Sequence, residues 1–216
     1  MKVINLSEHN SVLNHYLKEI RSISIQQDKM RFRRNIERIG EVMAIEVSKA
    51  LPYTPEDVQT PMEVTQVNTI SHGIVIGSVM RAGLPLHQGF LNMFDHAENA
   101  FLSAFRRKNE QGQLEVVSEY MAAPDLNGKI LLLVDPMLAT GLSLDIVHKA
   151  LLKNGTPKEL HICCVIAAPE GVENLRKAMP EDSTLWVACI DRGTNANKYI
   201  VPGLGDAGDL CFGNKI

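Results

Sequence analysis

The sequence predicts an α/β fold in which an open parallel sheet is flanked by helices. Apolar runs of strand length alternate with amphipathic segments of helix length through the last two thirds of the chain, and this alternation is typical of parallel sheets. The clearest strand, Lys129 to Asp135 (KILLLVD), is apolar almost without interruption, as expected for a parallel strand covered on both faces. With 216 residues, 45% of them hydrophobic, the chain can form one domain with its own core.

Residues 1–55 are predicted to be a helical N-terminal part. Apolar side chains recur at helical spacing from Ser11 to Ile20 and again from Gln26 to Leu51. Pro52 and Pro55 are expected to end the second helix. We expect these helices to form packing or oligomer surfaces rather than to carry chemistry.

Residues 70–216 are predicted to form the sheet core, and the whole chain a single domain. A polar stretch from Arg106 to Asp125 fits a flexible β-hairpin flap better than a core element. Strands are predicted at 73–79, 100–105, 129–135, 160–167 and 184–190, and helices from Gly83 to about 93, at 142–153 and at 170–179.

The charge balance argues against nucleic-acid binding. The formal net charge is -3, and no basic stripe runs along the chain. The densest basic cluster, Lys29 to Arg38, has acidic neighbours and fits a solvated helix face. An anionic ligand and a subunit contact are the alternatives for this cluster.

The cysteines and the N-terminus indicate a reducing compartment. Four cysteines occur without any C-x-x-C pair, so neither structural zinc nor a disulfide framework is expected. The adjacent pair Cys163 and Cys164 is expected to point to opposite faces of a strand. The first residues lack the apolar core of a signal peptide, and no apolar run is long enough to span a membrane. We therefore expect a cytoplasmic protein.

The segment from Val134 to Ser143 (VDPMLATGLS) is where chemistry is expected, because ligands of such sheets bind beyond the carboxyl ends of the strands. Asp135, at the end of the strand, is placed to accept hydrogen bonds from ligand hydroxyls. Small and polar residues then open a helix, where unpaired N–H groups and the helix dipole favour a phosphate. A strand-to-helix turn with ordinary capping residues is the alternative. The segment is not a Walker A loop.

The tail from Gly203 to Gly208 matches G-x-G-x-x-G, but only eight residues follow it. No βαβ unit can form there, so a dinucleotide site is rejected. The glycine-rich loop exposes backbone donors and acceptors, and Asp206 and Asp209 add two carboxylates. These carboxylates serve a metal, a ligand or simply the capping of turns. Trp186, within an apolar strand, is expected in the core.

Two separate motifs resemble those of uracil phosphoribosyltransferases. VDPMLATG is similar to that family's phosphoribosyl pyrophosphate (PRPP) motif, with Pro136 where most other phosphoribosyltransferases have a second acid. The tail from Tyr199 to Gly213 (YIVPGLGDAGDLCFG) resembles the family's uracil-binding signature, and MRAGLPL and AAPEG fit as well. The resemblance implies a type I phosphoribosyltransferase fold and transfer of the phosphoribosyl group of PRPP to uracil, giving UMP and diphosphate with Mg²⁺ as cofactor.

The resemblance also implies residue roles. Arg81 and Arg106 should contact the pyrophosphate, and Asp206 should face PRPP, in part through Mg²⁺. The residues implied in catalysis are Asp206, Arg106 and Asp135. The residues implied in PRPP binding are Arg81, Arg106, Asp135, Pro136, Met137, Leu138, Ala139, Thr140, Gly141, Leu142, Ser143 and Asp206, and those implied in uracil binding, largely through main-chain atoms, are Ile200, Gly205, Asp206 and Ala207. No residue stands out as the acceptor of the uracil N1 proton.

The chain departs from the family pattern mainly at Leu142, where a second glycine is usual. The N–H of Leu142 is retained, but its side chain must turn away from a phosphate or the loop must shift. Two alternatives remain: a phosphoribosyltransferase for another base, and a non-catalytic regulator that binds PRPP or uracil. The family further suggests a homodimer or homotetramer, and GTP as an effector of some members, for which the sequence places no site.

Overall fold

The structure, a computed structural model, describes residues 1–103, 105–108, 114–117 and 120–214, and no side chain from residue 104 to residue 119. Within those ranges the strands are β1 (Lys2–Asn5), β2 (Tyr53–Gln59), β3 (Val64–Ile70), β4 (Ile74–Met80), β5 (Glu98–Ser103), β6 (Phe105–Lys108), β7 (Leu114–Val117), β8 (Met121–Ala122), β9 (Ile130–Val134), β10 (Met137–Leu138), β11 (Glu159–Ala167), β12 (Thr184–Ile190), β13 (Gly193–Thr194) and β14 (Ile200–Val201). The α-helices there are α1 (Leu13–Arg21), α2 (Lys29–Ser48), α3 (Leu84–Leu91), α4 (Leu142–Leu151), α5 (Pro169–Ala178) and α6 (Ala207–Phe212), and two short 3₁₀ turns span Leu6–Glu8 and Leu152–Asn154.

The main sheet is mostly parallel, which confirms the predicted fold class. Its strands lie in the order β1-β12-β11-β9-β4-β5-β8, with β10 paired to β11. Among its described strands, the short β8 alone runs antiparallel to its neighbour, β5. From β4 the chain continues to β5 on one side of the sheet, and from β9 it continues through β11 to β12 on the other side. The strand order therefore reverses between β4 and β9, the place where open α/β sheets bind ligands.

Helices cover both faces of this sheet, so its central strands are buried on both sides. Along β9, Leu132 packs in the cluster that contains residues of α1, α2 and α3. Its neighbour Leu131 packs in the opposite cluster, with residues of α4 and α5. Cys163 and Cys164 divide between the same two clusters, which confirms their predicted opposite orientation. Each such fully buried aliphatic side chain contributes about 1.5–3 kcal/mol of stability.

Helices α2 and α3 touch through their backbones. A Cβ atom on Gly89 would lie 2.1 Å from the carbonyl oxygen of Glu37, and one on Gly40 would lie 2.7 Å from that of Leu86. Glycine is therefore required on both sides of the contact. The contact fixes α3, and with it the Arg81 turn that precedes α3.

The N-terminal part differs from the predicted all-helical segment. Residues 2–5 form β1, a four-residue edge strand parallel to β12, and the helices begin only at Leu13. Asp28 caps the second helix by accepting a hydrogen bond from the N–H of Arg31 at 3.0 Å. After that helix, β2 and β3 form an antiparallel hairpin that is exposed along almost its whole length.

The basic cluster of α2 is largely taken up by contacts inside the chain. Arg31 forms an ion pair with Glu19 at 2.7 Å, and Arg34 forms one with Glu37 at 2.5 Å. Arg33 donates to the carbonyl oxygen of Cys211 at 2.6 Å. The helix face is therefore tied to α1 and α6 but remains partly solvated, since the side chains of Arg31 and Arg34 are 44% and 42% exposed.

The predicted flap lies partly outside the described residues. Strands β6 and β7 pair antiparallel as a separate two-stranded unit, and β5 ends at Ser103, two residues before the predicted end. The link between β6 and β7 is outside the described residues, so its role as a flap stays a prediction. In the described part of the chain, no helix has the length and apolar character needed to cross a bilayer.

Candidate active site

Arg81 and the predicted site residues from Asp135 to Ser143 follow neighbouring strands of the main sheet. Arg81 directly follows β4 and Asp135 directly follows β9, the two neighbouring strands between which the order reverses. The carboxyl ends of parallel strands meet at the same edge, so these two side chains flank the expected ligand crevice. Arg106 lies in β6, where its backbone is paired with Val116, but its side chain lies outside the described residues.

The loop after β9 is held down by main-chain hydrogen bonds to β11. The carbonyl oxygen of Pro136 accepts from the N–H groups of Val165 and Ile166 at 3.1 and 3.0 Å, and that of Leu138 accepts from Ala168 at 2.9 Å. These bonds make residues 137–138 a short strand, β10, and so fix where the loop leaves the sheet. The loop encloses a small cavity of about 40 Å³, lined by Asp135, Met137, Ala139, Thr140, Gly141, Ser143 and Leu144.

The turn into α4 presents unpaired amides, as predicted for a phosphate cradle. In the described part of the chain, the N–H groups of residues 139–143 have no hydrogen-bond acceptor. The first intrahelical bond runs from the N–H of Asp145 to the carbonyl of Gly141 at 3.0 Å. Gly141 itself has φ +78°, and a Cβ there would lie 3.1 Å from the side chain of Leu175. The positive φ favours glycine there, and a Cβ atom would also crowd the side chain of Leu175.

Helix α5 packs against the loop after β9 and also contacts β13, the strand paired with the start of the tail. A Cβ atom on Gly171 would lie 2.7 Å from the carbonyl oxygen of Ala139, and the amide of Asn174 donates to the carbonyl of Thr140 at 3.1 Å. One turn before Asn174, the carboxylate of Glu170 accepts hydrogen bonds from the N–H and the hydroxyl of Thr194 at 2.7 and 2.5 Å. The first turn of α5 thus contacts the loop after β9 and also β13.

Asp135 is the one acidic group of the loop with a strongly shifted pKa. Burial raises the pKa of its carboxyl to about 7, and one hydrogen bond from the N–H of Met137, at 3.2 Å, opposes the shift. Burial disfavours the charged form because the surroundings replace little of the hydration that the carboxylate loses. A ligand that supplied hydroxyl donors would favour the ionised form.

The side chain of Leu142, at the position where the resembled family usually has a second glycine, points outward. Its side chain is 45% exposed and does not line the loop cavity, while its N–H remains at the start of α4. On the activity that the resemblance implies, we expect Leu142→Gly to keep or slightly improve the catalytic efficiency with PRPP, because no cavity-lining group is lost and the glycine costs at most about 1 kcal/mol of helix stability. Steady-state kinetics would check this, and a loss of more than about tenfold, or 1.4 kcal/mol, would show that Leu142 has a direct role.

The tail is a turn followed by a short helix rather than a loop throughout. Ile200 lies in β14, paired with Thr194, and Gly203 and Gly205 have φ of +63° and +98°. Helix α6 then begins at Ala207, and Asp206 caps it by accepting the N–H of Asp209 at 3.0 Å. The predicted capping alternative is therefore realised for one oxygen of Asp206.

Arg81 meets the tail in this structure. Its Nη2 donates to the carbonyl oxygen of Gly213 at 3.0 Å and to Asp209 at 3.3 Å. The tail also lines a cavity of about 290 Å³, together with the link between α1 and α2. The residues around it are Gln26, Gln27, Lys29, Leu204, Gly205, Asp206, Asp209, Leu210 and Asn214. The structure therefore brings Arg81 and Asp206 to a common region, with the N-terminal helices as its far wall.

Comparison with known proteins decides the family. A profile described as uracil phosphoribosyltransferase matches residues 7–214. The chain belongs to the uracil phosphoribosyltransferase family. A uracil phosphoribosyltransferase of Porphyromonas gingivalis is 46% identical over 216 residues, covering all of both chains, and one of Agrobacterium fabrum is 39% identical over 186 residues, covering 85% of this chain and 87% of its own. Among solved structures, the AQ2163 protein of Aquifex aeolicus superposes with a TM-score of 0.86 at 28% identity, covering 99% of each chain.

Several residues that shape this candidate site were not found from the sequence. The AAPEG motif signalled the start of α5, but not that Gly171 touches the loop after β9 or that Glu170 reaches Thr194. Arg21 and Asp191, which contact the tail, carried no local signal at all. Their contacts join residues far apart in the chain, which no motif records.

Proposed function

We propose that the chain transfers the phosphoribosyl group of PRPP to uracil, forming UMP and diphosphate in pyrimidine salvage. The proposal rests on two features that lie next to each other in this chain, which belongs to the family. A loop with unpaired amides and the Asp135 carboxylate follows β9, and Arg81, beside it at the reversal of strand order, touches the glycine-rich tail. Such an arrangement suits a sugar phosphate on one side and a base on the other.

We propose that the loop from Asp135 to Ser143 binds the ribose 5-phosphate part of PRPP. The carboxylate of Asp135 would accept hydrogen bonds from the ribose hydroxyls, and the amides of residues 139–143, with the hydroxyls of Thr140 and Ser143, would bind the phosphate. Arg81 and Arg106 would bind the diphosphate. A guanidinium carries five N–H donors, so Arg81 retains donors beyond those used on Gly213 and Asp209.

Uracil would be recognised by main-chain atoms of the tail, at Ile200 and from Gly205 to Ala207. Among the described residues, the N–H groups of Gly205, Asp206 and Ala207 have no acceptor. Uracil offers an acceptor, a donor and an acceptor along one edge, which a fixed set of backbone groups can match. Cytosine carries an amine at C4 and would leave buried groups mismatched, which strongly disfavours its binding.

Asp206 fits a role in holding Mg²⁺. That ion prefers one or two carboxylates together with substrate phosphates and retains several waters. One oxygen of Asp206 caps α6, and the carboxylate borders the 290 Å³ cavity together with Asp209, which accepts a hydrogen bond from Arg81. When bound, Mg²⁺ would neutralise charge on the leaving diphosphate.

The test is UMP formation from labelled uracil and PRPP, with and without Mg²⁺, with cytosine, hypoxanthine and orotate as rival bases. Product from uracil alone that requires Mg²⁺ supports the proposal. Product from another base would assign a different phosphoribosyltransferase activity. Binding of PRPP or uracil without product from any base would identify a non-catalytic regulator.

The raised pKa of Asp135 predicts a pH-dependent PRPP affinity. Below about pH 7 the carboxyl of Asp135 is protonated in the free enzyme, and it must lose this proton before it accepts hydrogen bonds from the ligand hydroxyls as a carboxylate. The PRPP dissociation constant should therefore rise up to about tenfold for each unit by which the pH falls below 7. Titration calorimetry in buffers of different ionisation enthalpy would measure the released proton. The Asp135→Asn variant, which cannot ionise, supplies the control for protons that come from PRPP itself. Identical profiles for the two proteins would contradict the prediction.

We further propose a homo-oligomer that works in the cytoplasm. The exposed hairpin of β2 and β3 carries the apolar side chains of Val58, Val64 and Val67, 40–58% exposed, which a second copy would cover. All four cysteines are free, as is usual in a reducing compartment. Light scattering after gel filtration tests the assembly, and adding GTP to the UMP assay tests the effector that the family suggests.

A further inference from the structure

An ion pair with little exposure joins the first helix to the end of β12. Arg21, the last residue of α1, donates from Nη1 and Nη2 to the two carboxylate oxygens of Asp191 at 2.9 and 2.7 Å. The side chains are 22% and 3% exposed. A bidentate pair of this kind fixes the orientation of both side chains as well as their distance.

The same two side chains hold both polar groups of Gly203. The N–H of Gly203 donates to Asp191 Oδ2 at 2.8 Å, and its carbonyl oxygen accepts from Arg21 Nη1 at 2.9 Å. Gly203 stands two residues before Gly205, where the proposed uracil-reading segment begins. The turn is also tight, since a Cβ atom on Gly203 would lie 2.1 Å from the carbonyl oxygen of Ile200.

Two further side chains, one in the link between α1 and α2 and one in α2, hold the tail at other points. In the amide orientation that satisfies its neighbours, Gln26 donates to the carbonyls of Ile20 and Leu204, both at 2.9 Å. Arg33 donates to the carbonyl of Cys211, within α6, at 2.6 Å. The tail is therefore attached to α1, α2 and the link between them before, beside and after its base-reading segment.

We infer that Arg21 and Asp191 are positioning residues that set the affinity for uracil, an inference that rests on the proposed function. If the base is read by main-chain atoms, recognition depends on where the backbone lies, and no side-chain rotamer can correct an error. The clamp formed by Arg21, Asp191 and Gly203 fixes that backbone without contacting substrate. A displacement of about 1 Å at such a distance from the chemistry costs up to about a hundredfold in efficiency.

The test compares Arg21→Ala with Arg31→Ala. Arg31 also forms a bidentate pair, with Glu19 at 2.7 and 2.8 Å, and that pair joins α1 to α2 without touching the tail. Arg21→Ala should raise the uracil KM by about tenfold to a hundredfold, and the PRPP KM far less, whereas Arg31→Ala should change neither. Millimolar guanidinium ion should restore the uracil KM of Arg21→Ala by filling the vacated position. All assays are run where circular dichroism shows a folded protein.

A second variant and a second readout keep the test decisive. Arg21→Lys keeps the charge but lacks the planar fork, so it should show an intermediate rise in uracil KM, and it carries the test if Arg21→Ala does not fold. Hydrogen exchange of residues 199–213 in the ligand-free protein should quicken in both Arg21 variants and not in Arg31→Ala. Unchanged exchange and an unchanged uracil KM in a folded Arg21 variant would overturn the inference. If the Arg21 variants showed faster exchange but the wild-type protein formed no UMP, the proposed function would be refuted and the role of the clamp in holding the tail would stand.

Discussion

Asp206→Asn is expected to reduce UMP formation by at least about a hundredfold, the scale of losing one charged group that acts on the transition state. The physical reason is the loss of negative charge at the proposed Mg²⁺ position. Because asparagine caps helices as well as aspartate does, the hydrogen bond from the N–H of Asp209 should survive. Turnover at saturating substrates would measure the effect, and thermal unfolding would show an unchanged fold.

Two comparisons separate charge from capping at this position. Asp206→Ala removes the cap as well, so it should add about 1 kcal/mol of destabilisation to the same loss of turnover. Asp125→Asn is a matched control at the opposite edge of the sheet, where Asp125 accepts the N–H of Asn127 at 3.2 Å. That variant should retain full activity. Near-normal turnover in Asp206→Asn would remove this residue from the proposed catalytic group.

Gly171→Ala is expected to raise the PRPP KM and lower turnover, together by about a hundredfold in catalytic efficiency. The added methyl group would lie 2.7 Å from the carbonyl oxygen of Ala139 and 2.8 Å from that of Leu138. Both contacts are main chain, so the loop that carries the proposed phosphate site must move. Steady-state kinetics with PRPP as the varied substrate would measure the loss.

Gly73→Ala provides the matched control for this substitution. A Cβ atom on Gly73 would meet only the side chain of Lys129, at 3.6 Å, an ordinary contact. It should leave the PRPP KM unchanged. If Gly171→Ala behaved like Gly73→Ala, the support of the loop by α5 would have no bearing on PRPP binding.

The fold was predictable wherever local pattern and tertiary environment agree. The continuous apolar run before Asp135 predicted β9, and the structure places residues 130–134 at the centre of the sheet. By contrast, β1 is a four-residue strand that exists because it pairs with β12, and its sequence carries no period long enough to detect. The short α6 was also missed, since glycines dominate the segment in which Asp206 caps it.

The candidate site also has parts that could be predicted from the sequence and parts that could not. The loop after β9 was predictable because its chemistry lies in one contiguous segment with a known local geometry. The contacts of Arg81 with the tail and of Arg21 with Gly203 were not, because each joins residues more than 100 positions apart. The outward orientation of Leu142 was one of two outcomes that the sequence left open, and only the packing around α4 decided between them.

Helix α5 has a consequence for how the two substrates influence each other. Through Gly171 and Asn174 it touches the loop proposed to bind PRPP, and through Glu170 it touches the strand beside the tail. A ligand that orders one of these segments reduces the entropy cost of ordering the other. Any coupling free energy between the two proposed sites is reciprocal, so PRPP would strengthen uracil binding by the same factor by which uracil would strengthen PRPP binding.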